Sequence, residues 1–186
     1  MKIFYIHGFG SSFDETSAKI TTLKTLGEVS GVDIDYTKSF SDIKKLLIEK
    51  IIESKADLIV GTSMGGYYAA ELGNELGVPF VAINPAITPY ISLQKYVGNG
   101  VDWTGKSYSL KKKTVDEYHD ISTTGAGLIL LDNGDDVIDS TKTFETLKDK
   151  YSVKCFEGGS HRFEHMNESL DLIKCFYDMA SVSYGF

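Results

Sequence analysis

The chain has 186 residues, 42% of them hydrophobic and 24% charged, which fits one globular domain with its own core and excludes a low-complexity chain. A formal net charge of −7 argues against a nucleic-acid binder, which would carry a basic footprint. No apolar run approaches the roughly 20 residues that span a bilayer, so no membrane span is expected.

Residues Lys2–Ile6 form a short apolar run after a single lysine and lead into a polar, glycine-containing loop at 7–12. Without a small-residue cleavage site this reads as a first strand, not a signal peptide, and the expected compartment is the cytoplasm. Residues 17–26 look helical, and 32–36 read as a short strand. Ile43, Leu46, Leu47 and Ile51 recur at helical spacing in 40–53. Residues 57–60 read as a buried strand, Met64–Leu76 as a helix ended by Gly77, and 79–83 as another strand. Segment 84–125 breaks the rhythm with aromatic residues and weak periodicity. A structureless loop of that length is improbable, so about residues 85–125 read as a small cap with irregular helices over the strand ends. The run Lys111-Lys112-Lys113 within it reads as a solvated face. Further strands are expected at 128–131 and 153–156, a helix from near Ser140, and a closing helix at 164–179. Cys155 and Cys175 fit neither a disulfide framework nor a metal-ligand spacing and are expected in the core.

Strands alternating with helices imply an α/β domain, its sheet mostly parallel with helices on both faces. In such sheets ligands gather at the carboxyl ends of the strands. Gly61-Thr62-Ser63-Met64-Gly65 stands at one of those ends, between a buried strand and a helix. This is G-x-S-x-G in the setting of a nucleophile elbow, where a strained turn exposes the serine hydroxyl and the N–H of Met64 can donate to an oxyanion. A phosphate-loop reading fails, because neither GTSMGG nor the Gly8–Gly10 loop continues as such a loop requires.

A serine needs a base. Of four histidines, His161 follows a strand on the glycine turn Glu157-Gly158-Gly159-Ser160 and can reach Ser63. His7 reads as a brace for its own loop, His119 as a solvated or capping residue of the cap, and His165 as a surface or satisfied residue of the last helix. The base needs an orienting carboxylate. The acidic turn Asp132-Asn133-Gly134-Asp135-Asp136-Val137-Ile138-Asp139 lies after Ser63 and before His161, in the chain order of α/β-hydrolases; one of its acids is expected to serve. The second oxyanion donor is expected at the N–H of Phe9, where Gly8 permits close approach.

HGFGSS, GTSMGGYYA, DNGDDVID and EGGSH, with Ile83-Asn84-Pro85-Ala86 and Trp103-Thr104-Gly105-Lys106, together resemble the small bacterial YqiA/YcfP-type esterases of the α/β-hydrolase superfamily over nearly the whole chain. The resemblance implies a minimal α/β-hydrolase fold and hydrolysis of carboxylic esters or thioesters of short to medium acyl chains, with no cofactor. By position it implies Ser63 as nucleophile, Asp135 as acid and His161 as base. Superfamily acids are commonly followed by a variable residue and then apolar ones. Asp136 is then the variable position, before Val137 and Ile138, and Asp139 caps the next helix. Tyr90, Tyr96, Trp103 and Tyr108 are expected either to wall an acyl pocket or to build the core of the cap. The rival readings are a hydrolase fold reused as a binding module and a zinc hydrolase. His161-Arg162-Phe163-Glu164-His165 fits H-x-x-E-H, with Glu164 as its base and a third ligand among Glu168, Asp171 and Asp178. Against it, Gly158-Gly159 places His161 at a turn, and no metal site is expected.

Overall fold

The computed structural model describes residues 1–184. Six parallel strands form the main sheet: β1 (Lys2–Ile6), β2 (Glu28–Gly31), β3 (Leu58–Thr62), β4 (Phe80–Ile83), β7 (Gly127–Asp132) and β8 (Ser152–Phe156), in the spatial order β2-β1-β3-β4-β7-β8. Five helices join or follow them: α1 (Ala18–Leu23), α2 (Phe40–Ser54), α3 (Met64–Leu76), α6 (Ser140–Leu147) and α7 (Leu170–Tyr184). Between β4 and β7 lie α4 (Pro89–Ser92), a single 3-10 turn, the antiparallel hairpin of β5 (Gly98–Val101) and β6 (Ser107–Leu110), and α5 (Lys112–Val115).

Side chains alternate across the sheet and divide the core in two. Phe4, Ile6, Ile59, Phe80, Ala82, Ile129 and Leu131 pack with α2, α3 and α6 on one face. Ile3, Tyr5, Leu58, Val60, Val81, Ile83, Leu128 and Leu130 pack with α1 and α7 on the other. Strands buried on both faces need apolar residues at every position, which accounts for unbroken runs such as LILL. β1 is followed by a connection toward one edge and β3 by one toward the other. The reversal opens a crevice between their carboxyl ends, the place where ligands bind in such sheets.

Four local expectations are corrected. The second strand is Glu28–Gly31 rather than 32–36; Ile34 and Tyr36 are buried, but in a loop beside His7. The last helix begins at Leu170 rather than 164, because Phe163 adopts φ 62° and residues 161–169 are turns; His165 is therefore outside it. The segment expected to hold irregular helices also holds the β5–β6 hairpin. Cys175 is exposed on α7, whereas Cys155 packs against the α2–α3 side of the core. Asp139 caps α6 as expected, accepting the Lys142 N–H at 2.9 Å.

Candidate active site

Ser63 occupies the turn from β3 to α3 with φ 58° and ψ −119°, a conformation that costs an L-residue on the order of 1–3 kcal/mol. The turn depends on missing side chains. A Cβ on Gly61 would lie 2.0 Å from the Gly65 carbonyl oxygen, and one on Gly65 1.9 Å from that of Ile6. The Ser63 N–H donates to Ile83 O at 2.9 Å, and its carbonyl accepts from Tyr67 and Ala86, each at 3.1 Å. The strained residue is thus held from both flanks.

Three strand ends bring Ser63, His161 and Asp135 together. His161 Nε2 is 3.0 Å from Ser63 Oγ, and Nδ1 is 2.8 and 3.0 Å from the two Asp135 oxygens. A carboxylate only accepts, so Nδ1 carries the proton and Nε2 offers its lone pair to the serine hydroxyl. The Asp135 side chain is 1% exposed, and its Oδ1 also accepts the N–H groups of Val137 and Ile138 at 2.8 Å. Its neighbour Asp136 is exposed. Backbone bonds from Asn133 to Phe156 (2.8 Å) and from Gly134 to Gly158 (2.7 Å) fasten the acid turn to the histidine loop.

The loop after β1 closes the other side. A Cβ on Gly8 would stand 3.6 Å from Ser63 Oγ, so the Gly8 backbone lies against the serine. Among the described residues, the N–H groups of Phe9 and Met64 have no acceptor, and Met64 opens α3, whose N-terminus carries positive partial charge. His7 braces this loop. Its Nε2 accepts the Ile34 N–H at 2.9 Å, so Nδ1 holds the proton and donates to Gly8 O at 2.8 Å. Burial lowers the His7 pKa, which keeps the ring neutral for that role.

The aromatic residues between β4 and β7 separate. Tyr96 and Tyr108 lie against the Phe9 ring, with centroids 5.1 and 5.3 Å away. Tyr90 donates its hydroxyl to Asp120 at 3.0 Å. Trp103 is 76% exposed, and its backbone N–H donates to Gly10 O at 3.2 Å. His119 packs beside Tyr67 and Phe40.

Two buried polar residues, Asn84 and Asp132, have no role of their own in the sequence reading, the latter standing only among the candidate acids of its turn. Asn84, at the end of β4 with φ 42°, accepts the Asp132 N–H at 2.9 Å and donates to the carbonyls of Ser160 and His161 at 3.1 and 3.3 Å. Asp132 is fully buried and accepts from Ser160 N–H, Glu164 N–H and His165 Nδ1 at 3.1, 2.8 and 2.8 Å. An asparagine just before Pro85 was the available signal for the first, since asparagine tolerates positive φ. For the second it was an acid placed directly at a strand end. The H-x-x-E-H residues do not share a helix face: His161 turns to Asp135 and His165 to Asp132.

Residues 2–178 match the model of a family described as Uncharacterised protein family (UPF0227). The chain belongs to that family. The kinship expected with YqiA/YcfP-type proteins holds at this level. A UPF0227 protein of Vibrio atlanticus (strain LGP32) is 29% identical over 180 residues, covering 94% of this chain and 98% of that one. One of Shewanella sp. (strain MR-4) is 27% identical over the same shares. Among solved structures, Est1E from Butyrivibrio proteoclasticus superposes with a TM-score of 0.73 at 16% identity, covering 97% of this chain and 88% of that one. A monoacylglycerol lipase of Paleococcus ferrophilus gives a TM-score of 0.66 at 19% identity, covering 98% and 94%. At those identities the likeness is one of fold, and this UPF0227 chain has the α/β-hydrolase fold.

Proposed function

We propose that the chain is a serine hydrolase that cleaves carboxylic esters or thioesters of short to medium acyl chains through an acyl-enzyme. The observation that carries the reading is the continuous hydrogen-bonded row from Asp135 through His161 to Ser63, on a strained elbow with two uncommitted N–H groups beside it. Ser63 Oγ attacks the acyl carbonyl carbon as His161 Nε2 takes its proton. The N–H groups of Phe9 and Met64 receive the oxyanion, and Asp135 stabilises the imidazolium. Collapse expels the alcohol or thiol, which takes the proton from His161. Water then attacks the acyl-enzyme with His161 as base, and the carboxylic acid leaves. The rings of Phe9, Tyr96 and Tyr108 form one side of the acyl site, with Tyr90 and Trp103 at its rim. A small-molecule substrate suffices, and no residue in this scheme calls for a cofactor. The α/β-hydrolase fold, shared with esterases, supports the reading.

A fluorophosphonate probe tests it. Labelling is expected at Ser63 and is expected to vanish, together with ester turnover, in Ser63→Ala at nearly unchanged melting temperature. Labelling at a different serine, or none on the folded protein, removes the reading.

A further inference from the structure

We infer that Asp132, together with Asn84, is a positioning residue for His161: the two side chains build the loop that sets its ring on Ser63. The inference rests on the serine-hydrolase reading, since it assigns His161 a task that needs positioning.

The bonds of both residues converge on one short segment. The carboxylate of Asp132 gathers Ser160 N–H and Glu164 N–H on Oδ2 and His165 Nδ1–H on Oδ1. Those donors bracket His161 on both sides. The amide of Asn84 donates to the carbonyls of Ser160 and His161 and accepts the N–H of Asp132, so it couples the end of β7 to the same loop. The loop is shaped around the carboxylate: a Cβ on Gly159 would lie 1.9 Å from Asp132 Oδ2, and Gly158 and Gly159 take φ 73° and 72°. His165 is fixed in turn by stacking on Phe156, with centroids 4.9 Å apart and planes 10° apart.

A carboxylate withdrawn from water is costly unless donors surround it, and here three do. What only an acceptor supplies is an anchor for several N–H groups of a glycine-rich loop that has no ladder of its own. Asp135 alone fixes the tilt of the imidazole through one nitrogen; it does not fix the height of the His161 backbone over Ser63. Asp132 and Asn84 fix that second coordinate. Their role is therefore distinct from that of the orienting acid and acts through His161, not on substrate.

The test uses Asp132→Asn, which keeps size but replaces one of the two acceptor oxygens by a donor, and Asn84→Gly, which suits the positive φ and removes the side-chain bonds. Three readouts are taken on the folded protein: kcat and KM on a neutral p-nitrophenyl ester, the melting curve, and the imidazole ¹⁵N shifts of His161. Each variant is expected to lose about tenfold or more in kcat, with KM within about threefold, as for other residues that orient a reacting group. The His161 shifts are expected to move from one tautomer toward a mixture. Unchanged kcat and unchanged His161 shifts in a folded variant overturn the inference. So does a parallel change of kcat and KM that merely follows a fall in melting temperature. Should Asp132→Asn not fold, Asn84→Gly carries the test alone. If the wild-type chain turns over no ester and reacts with no probe, the hydrolase reading fails, and the ¹⁵N shifts alone decide whether Asp132 and Asn84 position the ring.

Discussion

Adjacent carboxylates with opposite surroundings make the sharpest comparison at the level of single residues. Asp135 is withdrawn from water and holds His161 Nδ1 and two backbone N–H groups, whereas Asp136 is exposed. Asparagine at 135 keeps the shape of the side chain but favours the wrong histidine tautomer. In serine proteases, the standard precedent, that change costs about 10⁴ in turnover. A loss of that kind is expected for Asp135→Asn, and less than about tenfold for Asp136→Asn, which removes only a solvated charge. The measurement is kcat for both variants on the pH plateau of the wild-type activity. A crippled Asp136→Asn would mean that the turn is read one residue out of place.

Between elements, the elbow works because β1, β3 and α3 touch through backbone. Gly65→Ala drives a Cβ into the Ile6 carbonyl, with backbone on both sides and nothing flexible to give way. It is expected to cost more than about 3 kcal/mol or to prevent folding. Gly66→Ala meets Pro85 Cβ at 3.0 Å and is expected to fold with a smaller loss; urea unfolding of the pair checks the order. Much of this layer was legible in the sequence. Strands such as β3 and β7 are apolar up to their carboxyl ends because both faces are covered, and GTSMG names its own turn. The edge strand β2 was not legible, since an edge needs few apolar residues and Val29 is its one deeply buried side chain. Ile34 and Tyr36 alternate like a strand because they cover His7 from a loop. The start of α7 was misread because buried Phe163 and Met166 continue its spacing upstream, while Asp132 captures the Glu164 N–H and holds that stretch in turns. Asp132 and Asn84 were not legible as partners because their bonds join the ends of β4 and β7 to the loop after β8, and no local spacing encodes that meeting. Those turns also separate the two histidines of H-x-x-E-H, so ester turnover is expected to survive prolonged EDTA treatment. Loss on chelation, restored by Zn²⁺, would instead favour the metal chemistry that motif suggests.

The stability of the whole molecule should carry the mark of one lysine beneath the site. Lys19 Nζ donates to Thr62 Oγ1 at 3.1 Å, and Thr62 in turn pairs with the Tyr5 hydroxyl at 3.0 Å. Burial pushes the Lys19 ammonium down to about 8, against the pull of Asp132 and with added repulsion from Arg162. Between about pH 8 and the ordinary lysine value of 10.5 the unfolded chain keeps a proton that the native chain has shed. The unfolded state then binds more protons, so stability rises with pH across that window. The tyrosines work in the opposite sense. Burial raises Tyr5, Tyr118 and Tyr151 to about 12, so above pH 10 the unfolded chain ionises its phenols first and stability falls. The resulting maximum is expected between about pH 9 and 10, above the usual optimum near pH 5 to 8. Lys19→Met removes the charge that burial disfavours. It is expected to raise stability at pH 7 by about 1–3 kcal/mol and to make no difference near pH 10, where the native lysine is already neutral. Urea midpoints for wild type and variant at pH 7, 8.5 and 9.5 check it. Two curves that stay parallel over that range would show that Lys19 keeps its proton in the native fold, and the rise with pH would then have no source in this site.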